Sequence, residues 1–262
     1  MKLKLYQVDA FAEKIFSGNP AAVCLLKSWL PGELLQKIAE ENNLAETAFL
    51  VQKDDFFEIR WFTPRVEVDL CGHATLASAY ILYECEGYKG TAIEFFSPRS
   101  GKLIVTRLKD QLMLDFPVDE ITPVAISPGI AACFSPPPVE ILKGKTDLVA
   151  VLENEEQVRS FIPDQERISA LGGRGLIITA PGNDVDFVSR FFAPRVGINE
   201  DPVTGSAHTT LTPYWSKRSG KETMKAIQLS ERKGHLECTL SGERVLISGK
   251  ARLYMEGWIY TE

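Results

Sequence analysis

Residues 60–73 read RWFTPRVEVDLCGH, and 130 positions after the first of them residues 190–206 read RFFAPRVGINEDPVTGS. Aligning RWFTPRV with RFFAPRV matches Arg60 with Arg190, Phe62 with Phe192, Pro64 with Pro194, Arg65 with Arg195 and Val66 with Val196. A phrase this short carries weight only if its neighbours recur in the same order, as they do in an internal repeat.

The neighbours do recur. An alternating run from Leu3 to Phe11 leads to SGNPAAVCLL and then to an amphipathic stretch opened by Pro31, with apolar Leu34, Leu35, Ile38 and Ala39. That pattern predicts strand, turn, strand, helix. ETAFLVQ and FFEIRWF read as two further strands, and Gly72 opens a helix, HATLASAYILYECE, that closes at Gly87. The second half supplies KGKTDLVAVL, a helical EEQVRSFI, the strands GLIITA and VDFVSRFF, and a helix from Gly205 to about Gly220. Both closing helices are apolar around much of their circumference, which marks a helix enclosed by other elements. Period-2 segments after each helix add antiparallel strands.

The expected fold is therefore α+β, with two pseudo-equivalent domains, each a curved, mostly antiparallel sheet wrapped around one central helix. The boundaries are set at 1–116 and 117–262, the final strand being free to pack back on the first domain. The stretch from Pro117 to Pro138 forms the crossover.

Composition narrows the function. A formal net charge of -6 spread along 262 residues, without a basic run, argues against a nucleic-acid partner. No apolar stretch is long enough to cross a bilayer, and MKLKLYQVDAF runs into a strand pattern where a signal peptide would have an apolar core, so a cytoplasmic protein is expected. The five cysteines form no CxxC pair and fit reduced thiols. His73, His208 and His235 lie far apart without HxH or HExxH context, so the sequence carries no metal-ligand spacing and no metal site is expected.

Chemistry is expected at the starts of the two enclosed helices. Unpartnered N–H groups there attract anions, and Gly72 in CGHAT and Gly205 in TGSAH let a ligand approach the backbone. Two domains meeting face to face would aim both helix starts into one cleft, with a small carboxylate as guest. Taken singly, either glycine is also explained as a turn residue before a helix capped by Thr204 or Ser206. Their equivalent placement in the two repeats favours the ligand site.

SGNPAAVC, NNLAETAFL, DLCGHAT and EDPVTGSAH, in that order, resemble the phenazine-biosynthesis PhzF-like isomerase family, whose fold is similar to that of diaminopimelate epimerase and proline racemase. The resemblance spans most of the chain. It implies a cofactor-free isomerase, homodimeric in the family, acting on a small anionic carboxylic acid. It places the acid/base glutamate at Glu46, a Gly-His pair at Gly72 and His73, and the family's Asp and Ser at Asp201 and Ser206. Asp201 would then hold the imidazole or a substrate amine. Substrate-binding residues are expected at Gly72, Gly205, Ser206 and Asn19, although Asn19 reads equally as a turn residue. Arg65 and Arg195 are either ion-paired supports or carboxylate ligands.

The repeat adds a mechanistic constraint. The 130-residue offset sets Leu176 opposite Glu46, and Cys71 opposite Thr204. A two-thiol racemase needs an acid and a base on opposite faces of the substrate, and Thr204 cannot serve. A single carboxylate moving a proton between two carbons on one face fits better. The alternative from another class is a non-catalytic member that uses the same cleft to bind a metabolite or a protein. A hydrolase built on Ser206 with His73 or His208 is weaker, because TGSAH lacks the GxSxG context.

Overall fold

In the computed structural model, which describes residues 1–261, the repeat in the sequence becomes a repeat in strand pairing. The chain divides into two units: residues up to Asp115 together with the chain from Ser248 onward, and residues Phe116–Ile247.

The first unit begins with β1 (Lys2–Ala10), β2 (Asn19–Leu26), α1 (Gly32–Asn42), β3 (Glu46–Gln52) and β4 (Phe57–Phe62). It continues through the short β5 (Glu67–Val68), α2 (Gly72–Glu84), β6 (Ala92–Ser97), β7 (Gly101–Leu108) and β8 (Gln111–Pro117). β1 pairs antiparallel with β2, β2 parallel with β3, β3 antiparallel with β4, β4 parallel with β6, and β6 antiparallel with β7. Each parallel join needs a crossover, and α1 and α2 supply them.

The second unit contains β9 (Thr122–Pro123), α3 (Pro128–Ala131), β10 (Glu140–Lys143), β11 (Leu148–Val151), α4 (Glu155–Ser160) and α5 (Gln165–Ala170). β12 (Leu176–Pro181), β13 (Phe187–Ala193), β14 (Ile198–Asp201), α6 (Gly205–Ser219), β15 (Thr223–Gln228), β16 (Gly234–Ser241) and β17 (Arg244–Gly249) follow. The sequence of pairings from β10 to β16 is again antiparallel, parallel, antiparallel, parallel, antiparallel. The chain after Ile247 belongs with the first unit: β18 (Ala251–Tyr260) runs antiparallel to β1, from Lys2 opposite Tyr260 to Ala10 opposite Ala251.

Burial explains the apolar runs. β3 is buried on both faces over its first six residues, because Leu35, Ile38 and Ala39 of α1 join Phe49 and Val51 in one core cluster while α2 lies against the other face. α2 touches β1, β2, β3, β7 and β18, so the sheet of this unit curves around it. Leu76, Ile81 and the alanines between them are accordingly sealed from solvent.

The repeated PRV phrase has a structural counterpart one element earlier. Arg60 of β4 grips Glu67 of β5 through both carboxylate oxygens, at 2.7 and 2.8 Å, and Arg190 of β13 grips Glu200 of β14 at 2.7 and 2.9 Å. Each guanidinium lies over the phenylalanine two residues on, Phe62 at 5.1 Å and Phe192 at 4.9 Å. These forked, charge-assisted bonds fix the turn that leads into each central helix. Arg65 and Arg195, by contrast, are exposed and make no ion pair among the described residues. The symmetric supports are the arginines that open the phrase.

Candidate active site

In the first unit, the SGNP turn delivers Asn19 to the start of β2. Gly18 has φ +68°, and a Cβ there would lie 2.1 Å from the carbonyl oxygen of Ala10, so only glycine fits. Asn19 is fully buried, and its Nδ2 lies 3.2 Å from Nδ1 of His73, the second residue of α2. Glu46 opens β3, directly opposite Ala21 of β2, and its Oε2 lies 3.1 Å from Nε2 of the same ring. Cys71, the N-cap of α2, puts its sulfur 3.5 Å from Nδ1 and 4.0 Å from Nε2. Glu46, Cys71 and His73 are only 9%, 6% and 5% exposed.

The electrostatics follow from that crowding. Burial alone would lower the His73 pKa, but the adjacent sulfur and the Glu46 carboxylate outweigh it and hold the imidazole well above its ordinary value. Burial, reinforced by the Glu46 charge, pushes the Cys71 thiol up to about 11 against the pull of His73. Burial thus opposes the thiolate that a helix N-terminus favours at Cys71. The Asn19 amide suits both states of the ring: its NH2 donates to Nδ1 of neutral imidazole, and, reversed, its oxygen accepts from imidazolium. Glu46 Oε2 is buried, and its contact with the ring is an ion pair at 3.1 Å rather than a well-formed hydrogen bond.

In the second unit, Gly205 opens α6 with Thr204 as N-cap. The Thr204 hydroxyl does not cap the helix; it donates to Asp201 Oδ2 at 2.5 Å. Gln228 locks this corner by accepting from the Thr204 N–H at 2.8 Å and donating to the Asp201 carbonyl at 2.7 Å. Ser206 stands on a separate network, where its Oγ accepts from Arg174 Nη2 at 3.0 Å. Arg174 is itself held by both oxygens of buried Asp147. His208 is a core residue, with Nδ1 donating to the Thr204 carbonyl at 2.9 Å and its ring against Phe187, far from the role of a hydrolase base.

Asn19, Glu46, Gly72 and His73, singled out from the sequence, thus assemble within one unit. Asp201, Gly205 and Ser206 belong to the other, and Asp201 is bonded to Thr204 there. Sequence reasoning missed Arg174, Asp147 and Gln228. The signal for Arg174 was the glycine cluster GGRG at 172–175: Gly173 has φ +71° and a Cβ there would sit 2.7 Å from the Thr146 carbonyl oxygen.

This chain matches the family described as "Phenazine biosynthesis-like protein" over residues 8–257. An uncharacterized isomerase of Pseudomonas aeruginosa is 50% identical over 260 residues, covering 99% of this chain and 100% of its own. The crystal structure of a PhzF family protein from Enterococcus faecalis superposes with a TM-score of 0.97 at 46% identity, with both chains fully covered. The chain belongs to the phenazine biosynthesis-like family. A probable proline racemase from Agrobacterium radiobacter shares the fold alone, with a TM-score of 0.67 at 11% identity over 99% of this chain and 93% of its own. The architecture of this family member is therefore the α+β fold expected from its repeat, of the diaminopimelate epimerase-like kind that the family resemblance implies. No helix among its described residues is long and apolar enough to cross a membrane.

Proposed function

We propose that the protein is a cofactor-independent isomerase that shifts a proton on a small, anionic (amino-)carboxylic acid, with Glu46 as the shuttle. The observation that carries this reading is the buried Glu46 carboxylate beside the His73 imidazole at the start of α2, with Leu176 occupying the equivalent first position of β12. The proton-shuttling carboxylate is written in one repeat only.

In this reading Glu46 removes a proton from one carbon and returns it to another on the same face, acting first as base and then as acid. The raised pKa of His73 keeps a positive charge against the carboxylate and against the negative charge that develops on the substrate. The protonated Cys71 thiol takes no proton in this scheme. Gly72 presents a helix N-terminus to a substrate carboxylate. A purely binding role fits less well, since a buried carboxylate beside an anion site would weaken the binding it served. The names of the related proteins, which include isomerases, support the reaction class.

The test is carbon-bound hydrogen exchange in heavy water, followed by mass spectrometry, over a panel of β,γ-unsaturated and enolisable amino-carboxylic acids. Exchange with at least one substrate class and its loss in Glu46→Gln are expected. Exchange that survives unchanged in Glu46→Gln would remove the assigned role.

A further inference from the structure

No spacing in the sequence suggests a metal site, yet the fold gathers Glu46, Cys71 and His73 so that one ligand atom from each lies within 4.8 Å of the others. We propose that this trio binds a single thiophilic divalent cation of the zinc or cadmium class. The proposal rests on ligand geometry and stands whether or not the protein is an isomerase.

The distances fit a tetrahedral ion. Bond lengths of about 2.3 Å to sulfur, about 2.0 Å to imidazole nitrogen and about 2.1 Å to a carboxylate oxygen imply edges of about 3.6 Å between sulfur and nitrogen and about 3.4 Å between nitrogen and oxygen. Cys71 Sγ to His73 Nε2 is 4.0 Å, and His73 Nε2 to Glu46 Oε2 is 3.1 Å. These two edges must move by only a few tenths of an ångström, and the sulfur-to-oxygen edge, within 4.8 Å, must close to about 3.6 Å. Nε2 is the available nitrogen, because Nδ1 is engaged by Asn19. That contact is the outer-shell partner a metal-bound imidazole requires: with its amide reversed, Asn19 accepts from Nδ1–H and fixes the ring. Glu46 Oε2 is buried, and on binding the ion its 3.1 Å ion pair with Nε2 is replaced by a shared cation.

The donor set also selects the cation. One thiolate, one imidazole and one carboxylate suit zinc and cadmium and disfavour magnesium, which wants six oxygens at a shorter distance. On binding, the thiol proton and the Nε2 proton leave to the buffer, and the metal–sulfur and metal–nitrogen bonds form in their place. Three protein ligands leave a fourth position for water or a substrate carboxylate.

The experiment titrates the metal-free, reduced full-length protein with cadmium ion, reading the ultraviolet sulfur-to-cadmium charge-transfer band and the heat of binding. The parallel variants are Cys71→Ser, Glu46→Gln and Cys85→Ser, each checked for its folded far-ultraviolet spectrum. One equivalent per chain is expected for the wild type and for Cys85→Ser, unaffected by excess magnesium. Cys71→Ser should lose the band, and Glu46→Gln should bind at least about tenfold more weakly, the minimum cost of disturbing even an outer-shell partner. If Cys71→Ser does not fold, the Glu46→Gln arm decides alone. A stoichiometric band that persists in folded Cys71→Ser, an affinity unchanged in Glu46→Gln, or folded wild type that gives no band would each overturn the site.

Discussion

Arg174 meets the second residue of α6 as Glu46 meets the second residue of α2: Arg174 Nη2 lies 3.0 Å from Ser206 Oγ, and Glu46 Oε2 lies 3.1 Å from His73 Nε2. The two repeats share a geometry at the helix start and fill it with opposite charge. By donating to the serine oxygen, Arg174 leaves the hydroxyl proton free to point elsewhere. Arg174→Ala removes that orientation and strands Asp147, which is 2% exposed, without its partner. Loss of one member of a buried pair costs about 3–5 kcal/mol, and the partial exposure of Arg174 brings the expected loss to about 2–3 kcal/mol in urea unfolding. Asp147→Asn with Arg174 intact should cost less, and Arg174→Ala/Asp147→Ala together less than Arg174→Ala alone.

Shortening the shuttle should cost more than removing the neighbouring thiol. Glu46→Asp withdraws the carboxylate by about an ångström, a misplacement on the scale that lowers a rate by roughly a hundredfold. Cys71→Ser removes a group held protonated by a pKa of about 11. Steady-state kcat/KM on a substrate identified by exchange should order the variants wild type, Cys71→Ser, Glu46→Asp. The reverse order would point to thiol chemistry and end the single-carboxylate mechanism.

His208 should make the protein lose stability on mild acidification. Burial depresses its pKa to about 4, against an ordinary value near 6.5, with the Thr204 carbonyl opposing the shift. Between those values the unfolded chain binds a proton that the folded one refuses, so stability is present above about pH 6.5 and drains away as pH falls towards 4. The full loss is about 3 kcal/mol. His73 does not interfere in this window: its pKa is raised, so it is protonated in both states below about 6.5, and its contribution is lost only as pH rises through the folded value. Urea unfolding of wild type and His208→Asn between pH 4 and pH 7 isolates the effect, since asparagine keeps a donor for the Thr204 carbonyl and does not titrate. Equal pH slopes for the two proteins would refute it.

Gly18→Ala should damage fold and site together. The positive φ alone costs about 1–2 kcal/mol for alanine, and the approach to the Ala10 carbonyl forces β2 to shift at the residue that carries Asn19. A lowered melting temperature with a disproportionate drop in activity is expected. Gly220→Ala, at φ +72° with open space around it, should cost stability without that drop.

The fold was legible because its signals were local and doubled. The apolar circumference of 74–81, the Pro31 start and the glycine at 220 each report on a helix through their immediate neighbours, and the repeat vouches for them. The parallel joins β2–β3 and β4–β6 were not written locally, since parallel pairing depends on what the crossover helix covers. Among site residues, Glu46 and His73 stand inside motifs, whereas Arg174 and Asp147 are 27 positions apart and acquire meaning only when β11 lies parallel to β12. Cys71 was visible, but its surroundings were not: a helix start favours a thiolate, and the depth of burial that opposes it exists only in three dimensions.

The pairing of β1 with β18 sets the order in which the molecule can be completed during synthesis. Every residue of the second unit leaves the ribosome before Ala251, at about 5–20 residues per second, whereas β1 waits through that whole interval for the strand that covers its side opposite β2. The second unit is thus a complete insert, able to condense while the first is still unfinished. Until β18 arrives, the edge of β1 offers its unpaired N–H and C=O groups to any extended chain, and the nascent protein is most exposed to mispairing there.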